Sequence, residues 1–244
     1  MKKTLAACLS VIVLLLGTTV YAQISETEKA EGFVSMFNGK DLSEWDGNPD
    51  IWSVKDSSIV GQTESSGAAK LTHNQFIIWR GGDVKDFVFR ADIKLSSSGN
   101  SGFQYRSRKN SGDKIFSVNG YQADFDGTHA HSGILYGENF GGILCQRGLE
   151  SVIEAKQKPK TIRKFADNNE LKKSLKVEDW NSYEITAEGF TFTHKINGQI
   201  MSITKDEDKD HRRESGIFAI QAHVGPPMKV EIKNLRIKTI STNK

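Results

Sequence analysis

The chain has 244 residues, with 33 Lys and Arg against 30 Asp and Glu and a formal net charge of +3. So even a balance gives no electrostatic reason to expect nucleic acid as a partner. With 22 Gly and only 4 Pro, the composition suits many short strands joined by tight turns, and no linker or internal repeat divides the sequence.

In chain order, Lys2 and Lys3 precede an apolar run from Leu5 to Leu16, and small and polar residues then lead to Val20-Tyr21-Ala22. This pattern predicts a cleavable secretory signal over 1–22, cut after Ala22. The run is shorter than the roughly 20 apolar residues of a spanning helix. The expected destination is secreted or periplasmic, with no membrane association after cleavage. "LAAC" (Leu5–Cys8) has the look of a lipoprotein box but precedes most of the apolar run, and is discounted. Residues 23–32 form an N-terminal extension and 33–240 one domain. The mature part keeps only Cys145, so no internal disulfide forms, and its neighbour Leu144 marks it as a small buried hydrophobe.

The domain reads as strands. In "DFVFRADIKL", Phe87, Phe89, Ala91, Ile93 and Leu95 alternate with Val88, Arg90, Asp92 and Lys94, the period of a half-buried strand. "GFQYRSR" sets Phe103 and Tyr105 against Gln104 and Arg106, and "GYQADFD" sets Tyr121, Ala123 and Phe125 against Gln122, Asp124 and Asp126. "ADNNELKKSL" breaks the rhythm: Asp167 as N-cap with Leu171 and Leu175 at helical spacing predicts one short helix in an insertion. The basic cluster before it (Lys156, Lys158, Lys160, Arg163, Lys164) is expected to be solvated. Asn197-Gly198 predicts a type I′ hairpin. "GIFAIQAHV" and "MKVEIKNLRIKTI" add two final strands, the first carrying Gln221 and His223 on one face. The fold class is therefore all-β, a sandwich or barrel.

Three strands that each present amide, carboxylate, imidazole or guanidinium groups make a surface suited to a polyhydroxyl ligand. Trp45, Trp52, Trp79 and Trp180 are assigned to the core rather than to sugar stacking. A retaining glycosidase needs two carboxylates about 5–5.5 Å apart. Gln122 is an amide, and Asp124 and Asp126 are short, so the "GYQADFD" strand supports that chemistry poorly. His129 and His131 with Asp124 or Asp126 have metal-ligand types but unspecific spacing, and they are expected as solvent-facing loop residues with no metal site.

Quoted in order, "FVSMFNGKDLSEW", "WSVKDSSIVGQ", "WRGGDVKDFVFRADIKLSSSGNSGFQYRS", "GYQADFD", "SGILYGE", "GGIL", "EDWNSYEITAEG", "INGQ" and "IQAHVGPPMKVEIKNLRIK" resemble the 3-keto-disaccharide hydrolase domain family from Phe33 to about Lys238. The resemblance implies a concanavalin A-like β-sandwich (jelly roll), secretion from a bacterial cell, and a carbohydrate partner, a glycoside oxidised to a ketone at C3. Such a ketone acidifies the C2 proton. A base removes it, an enolate forms, and the glycosidic oxygen leaves C1, with water adding afterwards. The site then needs a base, an enolate stabiliser and an acid rather than two close carboxylates. No cofactor is required, although a divalent metal would also stabilise an enolate.

On this basis His223 is the expected general base, with Asp124 as second candidate. Arg106 and Gln122 grip the keto and hydroxyl oxygens, Gln221 orients the substrate beside Gln104, and Glu138 or Tyr136 assists the leaving group. Where the family pattern reads "LYEE", this chain has "LYGE", with Gly137 in place of the first Glu. Competing functions are a non-catalytic carbohydrate-binding module on the same sandwich and a conventional glucanase.

Overall fold

The computed structural model describes residues 24–240; the signal segment expected at 1–22 lies outside them. In chain order the strands are β1 (Val34–Ser35), β2 (Trp45–Asp46), β3 (Trp52–Lys55), β4 (Ser58–Gln62), β5 (Gln75–Trp79), β6 (Phe87–Leu95), β7 (Asn100–Lys109), β8 (Val118–Asp126) and β9 (Leu135–Glu138). They continue as β10 (Gly142–Cys145), β11 (Leu149–Glu154), β12 (Lys158–Lys164), β13 (Asn181–Glu188), β14 (Thr191–Ile196), β15 (Gln199–Asp206), β16 (Ile217–Ala222) and β17 (Lys229–Thr239). They form two sheets. One runs β12-β11-β15-β14-β13-β6-β17-β4-β3, with β1 also paired to β17, and the other runs β10-β9-β8-β7-β16-β5-β2. Pairings within both are antiparallel except β11 with β15.

The alternation in each strand builds the space between the sheets. β6 buries every second residue, Phe87 to Leu95, as its sequence period requires. Its Phe89 meets Phe103 of β7 (ring centroids 4.9 Å) and Phe218 of β16 (4.5 Å), and Tyr121 of β8 meets Phe192 of β14 (4.7 Å). Aromatic pairs at such offset and edge geometries add to the burial of their area. Trp45, Trp52 and Cys145 are buried, as expected. Trp79 is half-buried, and the half-buried Trp180 lies under Lys94 and Lys233 on the large sheet.

The hairpin and the helix form for the reasons read from sequence. Asn197 and Gly198 both take positive φ (50° and 78°) between β14 and β15. Asp167 caps α2 (Asn168–Lys172) by accepting from Asn169 and Glu170 backbone N–H groups, while Leu171 and Leu175 are buried. A second short helix, α1 (Glu26–Ala30), lies in the N-terminal extension, capped by Ser25. The basic cluster falls on and around β12, an edge strand whose residues are all exposed. A charged edge of this kind discourages further strand pairing.

One strand departs from its predicted pattern. Alternation in "GFQYRSR" places Arg106 beside Gln104 on the polar face. Instead the β7–β8 ladder slips between Tyr105 and Arg108, and Arg106 takes φ +47°. Its fully buried guanidinium turns to the Asp86 carboxylate (2.8 Å), the Lys85 carbonyl (2.8 Å) and the Arg213 carbonyl (3.1 Å), against the Phe192 ring. A buried charge requires such pairing. Arg106 is therefore a structural ion-pair partner and not the expected ligand for keto oxygens.

Candidate functional site

The strands β7, β8, β9 and β16 turn one face to the core and the other to a cavity. Registers set the rows: Gln104 pairs with Gln122 and Gln122 with Tyr136, while Ala219 pairs with Gln104. One step along, Gly102 pairs with Asp124, and the step from Ile220↔Phe103 puts Gln221 opposite Gly102. Gly102 is required there because an added Cβ would stand 2.8 Å from Gln122 Cγ and 2.9 Å from the Ala123 carbonyl. The Gln122 side chain lies across the glycine instead.

A cavity of about 290 Å³ is lined by Asn74, Asn100, Gln122, Asp124, His131, Ile134, Tyr136, Glu138, Asn139, Ile143, Gln221 and His223. It shares Asn74, Glu138, Asn139 and His223 with a wider cleft of about 780 Å³, bounded by Thr72, His73 and the segment around Asn110–Ser117. Of the residues singled out in the sequence, His223, Asp124, Glu138, Gln122, Gln221 and Tyr136 are brought together here. Gln104 lies on the same face but is wholly buried behind Gln122, to which it donates (2.7 Å), and it does not line the cavity. Its expected contact with substrate is replaced by a contact with another side chain.

The carboxyls of this site are abnormal. Burial pushes Asp124 up to about 8, with Asp126 and Glu138 adding to the rise and a hydrogen bond from Gln122 Nε2 (2.5 Å) opposing it. Burial likewise raises Glu138, opposed by Asn74 Nδ2 (3.1 Å) and by His223. Tyr136 is raised by burial and by the two carboxyls. Asn74, at the mouth of β5, also accepts from Val224 N–H (2.9 Å), tying the segment after β16 to Glu138.

The "DGTHAHS" segment is a structural loop. Burial alone would raise Asp126, but hydrogen bonds from Thr128, His131 and Ala130 outweigh it and hold the carboxyl below its ordinary value. His129, expected to face solvent, is buried at φ +54° with Nδ1 on Ser132 Oγ (3.0 Å). Arg147 fastens the loop through the carbonyls of Ser132 (2.6 Å) and His129 (3.0 Å). His131 is exposed at the cavity rim. Among the described residues no three His, Cys, Asp or Glu side chains gather as a metal-holding group. Asn74, Asn100 and Asn139 were not singled out in the sequence. Asn100 opens the strand segment "GNSGFQYRSR" and Asn74 lies in the polar run "THN" before β5; their amide type was the one available signal.

A two-sheet sandwich with a polar cavity on one sheet's outer face defines the class: a concanavalin A- or galectin-like jelly roll. Residues 32–238 match the family described as the 3-keto-alpha-glucoside-1,2-lyase-like domain, and the chain belongs to that carbohydrate-related family. Comparison with curated proteins gives no match. Among solved structures, a protein of Parabacteroides distasonis ATCC 8503 provisionally named a glycosyl hydrolase is similar at 20% identity and TM-score 0.58, covering 90% of this chain and 99% of its own. The carbohydrate-binding module CBM66 of Bacillus subtilis is similar at 15% identity and TM-score 0.52, covering 82% and 98%. A galectin-like protein of unknown function from Bacillus subtilis is similar at 10% identity and TM-score 0.53, covering 81% and 90%. At these identities the likeness shows the shared fold.

Proposed function

We propose that the protein cleaves 3-keto-glycosides by abstracting the C2 proton and expelling the C1 oxygen. The observation that carries this reading is the gathering, in one cavity, of an imidazole (His223) and two buried carboxyls with raised pKa values (Asp124 and Glu138). Sites that pair a base with a carboxyl kept protonated near neutrality suit this chemistry. His223 takes the C2 proton, and the electron pair flows toward the C3 ketone. Asp124, protonated at neutral pH, donates a hydrogen bond to the developing enolate. As C1–O breaks, Glu138 supplies a proton to the departing alcohol, leaving a sugar with a C1=C2 bond conjugated to the ketone. Water added across that bond gives the hydrolysis product. Gln122 and Gln221 hold ring substituents. The chemistry needs no cofactor, and a divalent cation bound beside the ketone would serve the same end as Asp124.

The test is direct. The purified protein is incubated with a 3-keto-glucoside and its unoxidised parent, with and without chelator, and products are followed by mass spectrometry. Cleavage of the oxidised sugar alone supports the reading. Binding of either sugar without turnover makes the protein a carbohydrate-binding module, and cleavage of the parent makes it a glucanase. We further propose export through the 1–22 signal, checked by the N-terminal mass of protein recovered outside the cytoplasm, where Gln23 should be the first residue.

A further inference from the structure

A buried line of side chains beneath the cavity has a defined donor direction. Ser107 Oγ donates to Gln104 Oε1 (2.5 Å), Gln104 Nε2 to Gln122 Oε1 (2.7 Å), and Gln122 Nε2 to both Asp124 Oδ1 (2.5 Å) and Gln221 Oε1 (3.2 Å). An amide accepts at one end and donates at the other, so fixing one end fixes the next. The line therefore ends on Gln221 Nε2 as a donor. That nitrogen is buried and has no protein acceptor, and Asn100 Oδ1 is buried and has no protein donor. Both residues line the inner cavity. Asn100 lies two residues before Gly102 on one face of β7, and Gln221 lies opposite Gly102 on β16. They are diagonal cross-strand neighbours within side-chain reach, with the Gln122 side chain lying across Gly102 beside them.

We infer that Gln221 and Asn100 form a subsite for one sugar hydroxyl, and that Gln104, by donating to Gln122, is a positioning residue that sets its polarity. A hydroxyl accepts from one partner and donates to the other. With Asn100 presenting Oδ1, as in the structure, a ketone oxygen, which only accepts, satisfies Gln221 and leaves Asn100 bare. The subsite thus selects an unoxidised CH–OH carbon of the ring and, by exclusion, orients the oxidised carbon elsewhere in the cavity. This rests on the sugar-cleaving reading and adds to it which substituent is held, and by what.

The experiment compares methyl 3-keto-α-glucoside with its 2-, 4- and 6-deoxy forms as substrates of the wild type, Asn100→Ala and Gln104→Met. In the wild type one deoxy form should lose about tenfold to a hundredfold through KM, with kcat little changed. That same form should lose nothing further in Asn100→Ala, while the parent drops to its level. Gln104→Met replaces a buried amide outside the cavity; it should raise KM for the parent and flatten the discrimination, which a loss of fold alone would not do. The subsite is overturned if the wild type turns over all three deoxy forms within about threefold of the parent, or if Asn100→Ala penalises every substrate equally. If the wild type leaves the parent 3-keto sugar intact, the cleavage reading itself fails, and the subsite with it.

Discussion

At the scale of single residues, Asp124 ties activity and stability to pH with opposite consequences for its substitution. In the proposed cleavage Asp124 is the proton-bearing partner of the enolate, and its carboxyl titrates at about 8, so kcat should fall as pH rises through that value. Asp124→Asn, which keeps a weaker hydrogen-bond donor but cannot titrate, should lower kcat by less than the roughly 10²–10³ that full loss of an enolate donor costs and abolish this alkaline limb; a pH–rate profile reads both. The stability sign follows from linkage. The folded pKa lies above the unfolded one, so between about pH 4 and 8 the native state holds a proton that the unfolded state has lost. Stability contributed by protonated Asp124 is present at low pH and declines as pH rises across that window. Urea melts should show Asp124→Asn gaining on the wild type between pH 5 and 8. The residues of this site were legible as a polar row because alternation is a property of sequence. Asp124's burial, Gln104's position behind Gln122 and the cavity-lining role of Asn100 were not, because they depend on which strands become neighbours.

At the scale of elements, β7 and β9 carry the two departures from pattern. In β7 the bulge at Arg106 converts an expected ligand into half of a buried ion pair with Asp86. Arg106→Ala should cost about 3–5 kcal/mol by leaving the buried Asp86 without its counter-charge and with only the Gly189 N–H (3.0 Å), seen as a lower denaturation midpoint, while KM per folded molecule stays near wild type. Nothing in "GFQYRSR" announces a bulge; a positive φ at arginine is imposed by the ladder on either side. In β9, Gly137 lies on the face opposite Tyr136 and Glu138, and an added Cβ would overlap the Phe140 carbonyl. The Phe140 N–H to Gly137 carbonyl bond (3.0 Å) closes that turn. Gly137→Glu, which supplies the Glu of the "LYEE" pattern that the segment resembles, should therefore displace the β9–β10 turn and reduce turnover rather than raise it, with the loss tracked by kcat/KM against circular dichroism. The carboxylate missing from "LYGE" thus falls outside the cavity, and Glu138 is the one that reaches it.

At the scale of the whole molecule, the sandwich and its chain order were readable because period-two hydrophobicity, the Asn197-Gly198 turn and the Asp167 cap all specify local geometry. The order of strands across each sheet was not, since it is set by long-range pairing. The N-terminal extension illustrates this. Glu28 of α1 accepts from Arg236 Nε (2.7 Å) and Arg90 Nη1 (3.1 Å), joining α1 to β17 and β6. Shortening the chain to begin at Gly32 should cost about 2 kcal/mol from these charged hydrogen bonds, measured by thermal melting.

The alternation of β7, β8 and β16 has one more consequence, for how such a protein changes over time. Odd and even positions of the same strand answer to different selections: one set to packing, the other to chemistry. Under the proposed function, substrate preference can be rewritten at Asn100, Gln122 or Gln221 while Phe103, Ala123 and Ile220 stay as they are. An insertion of one residue in β8 would exchange the two sets and forfeit both at once. A scaffold wired in this way invites diversification by substitution and resists it by insertion.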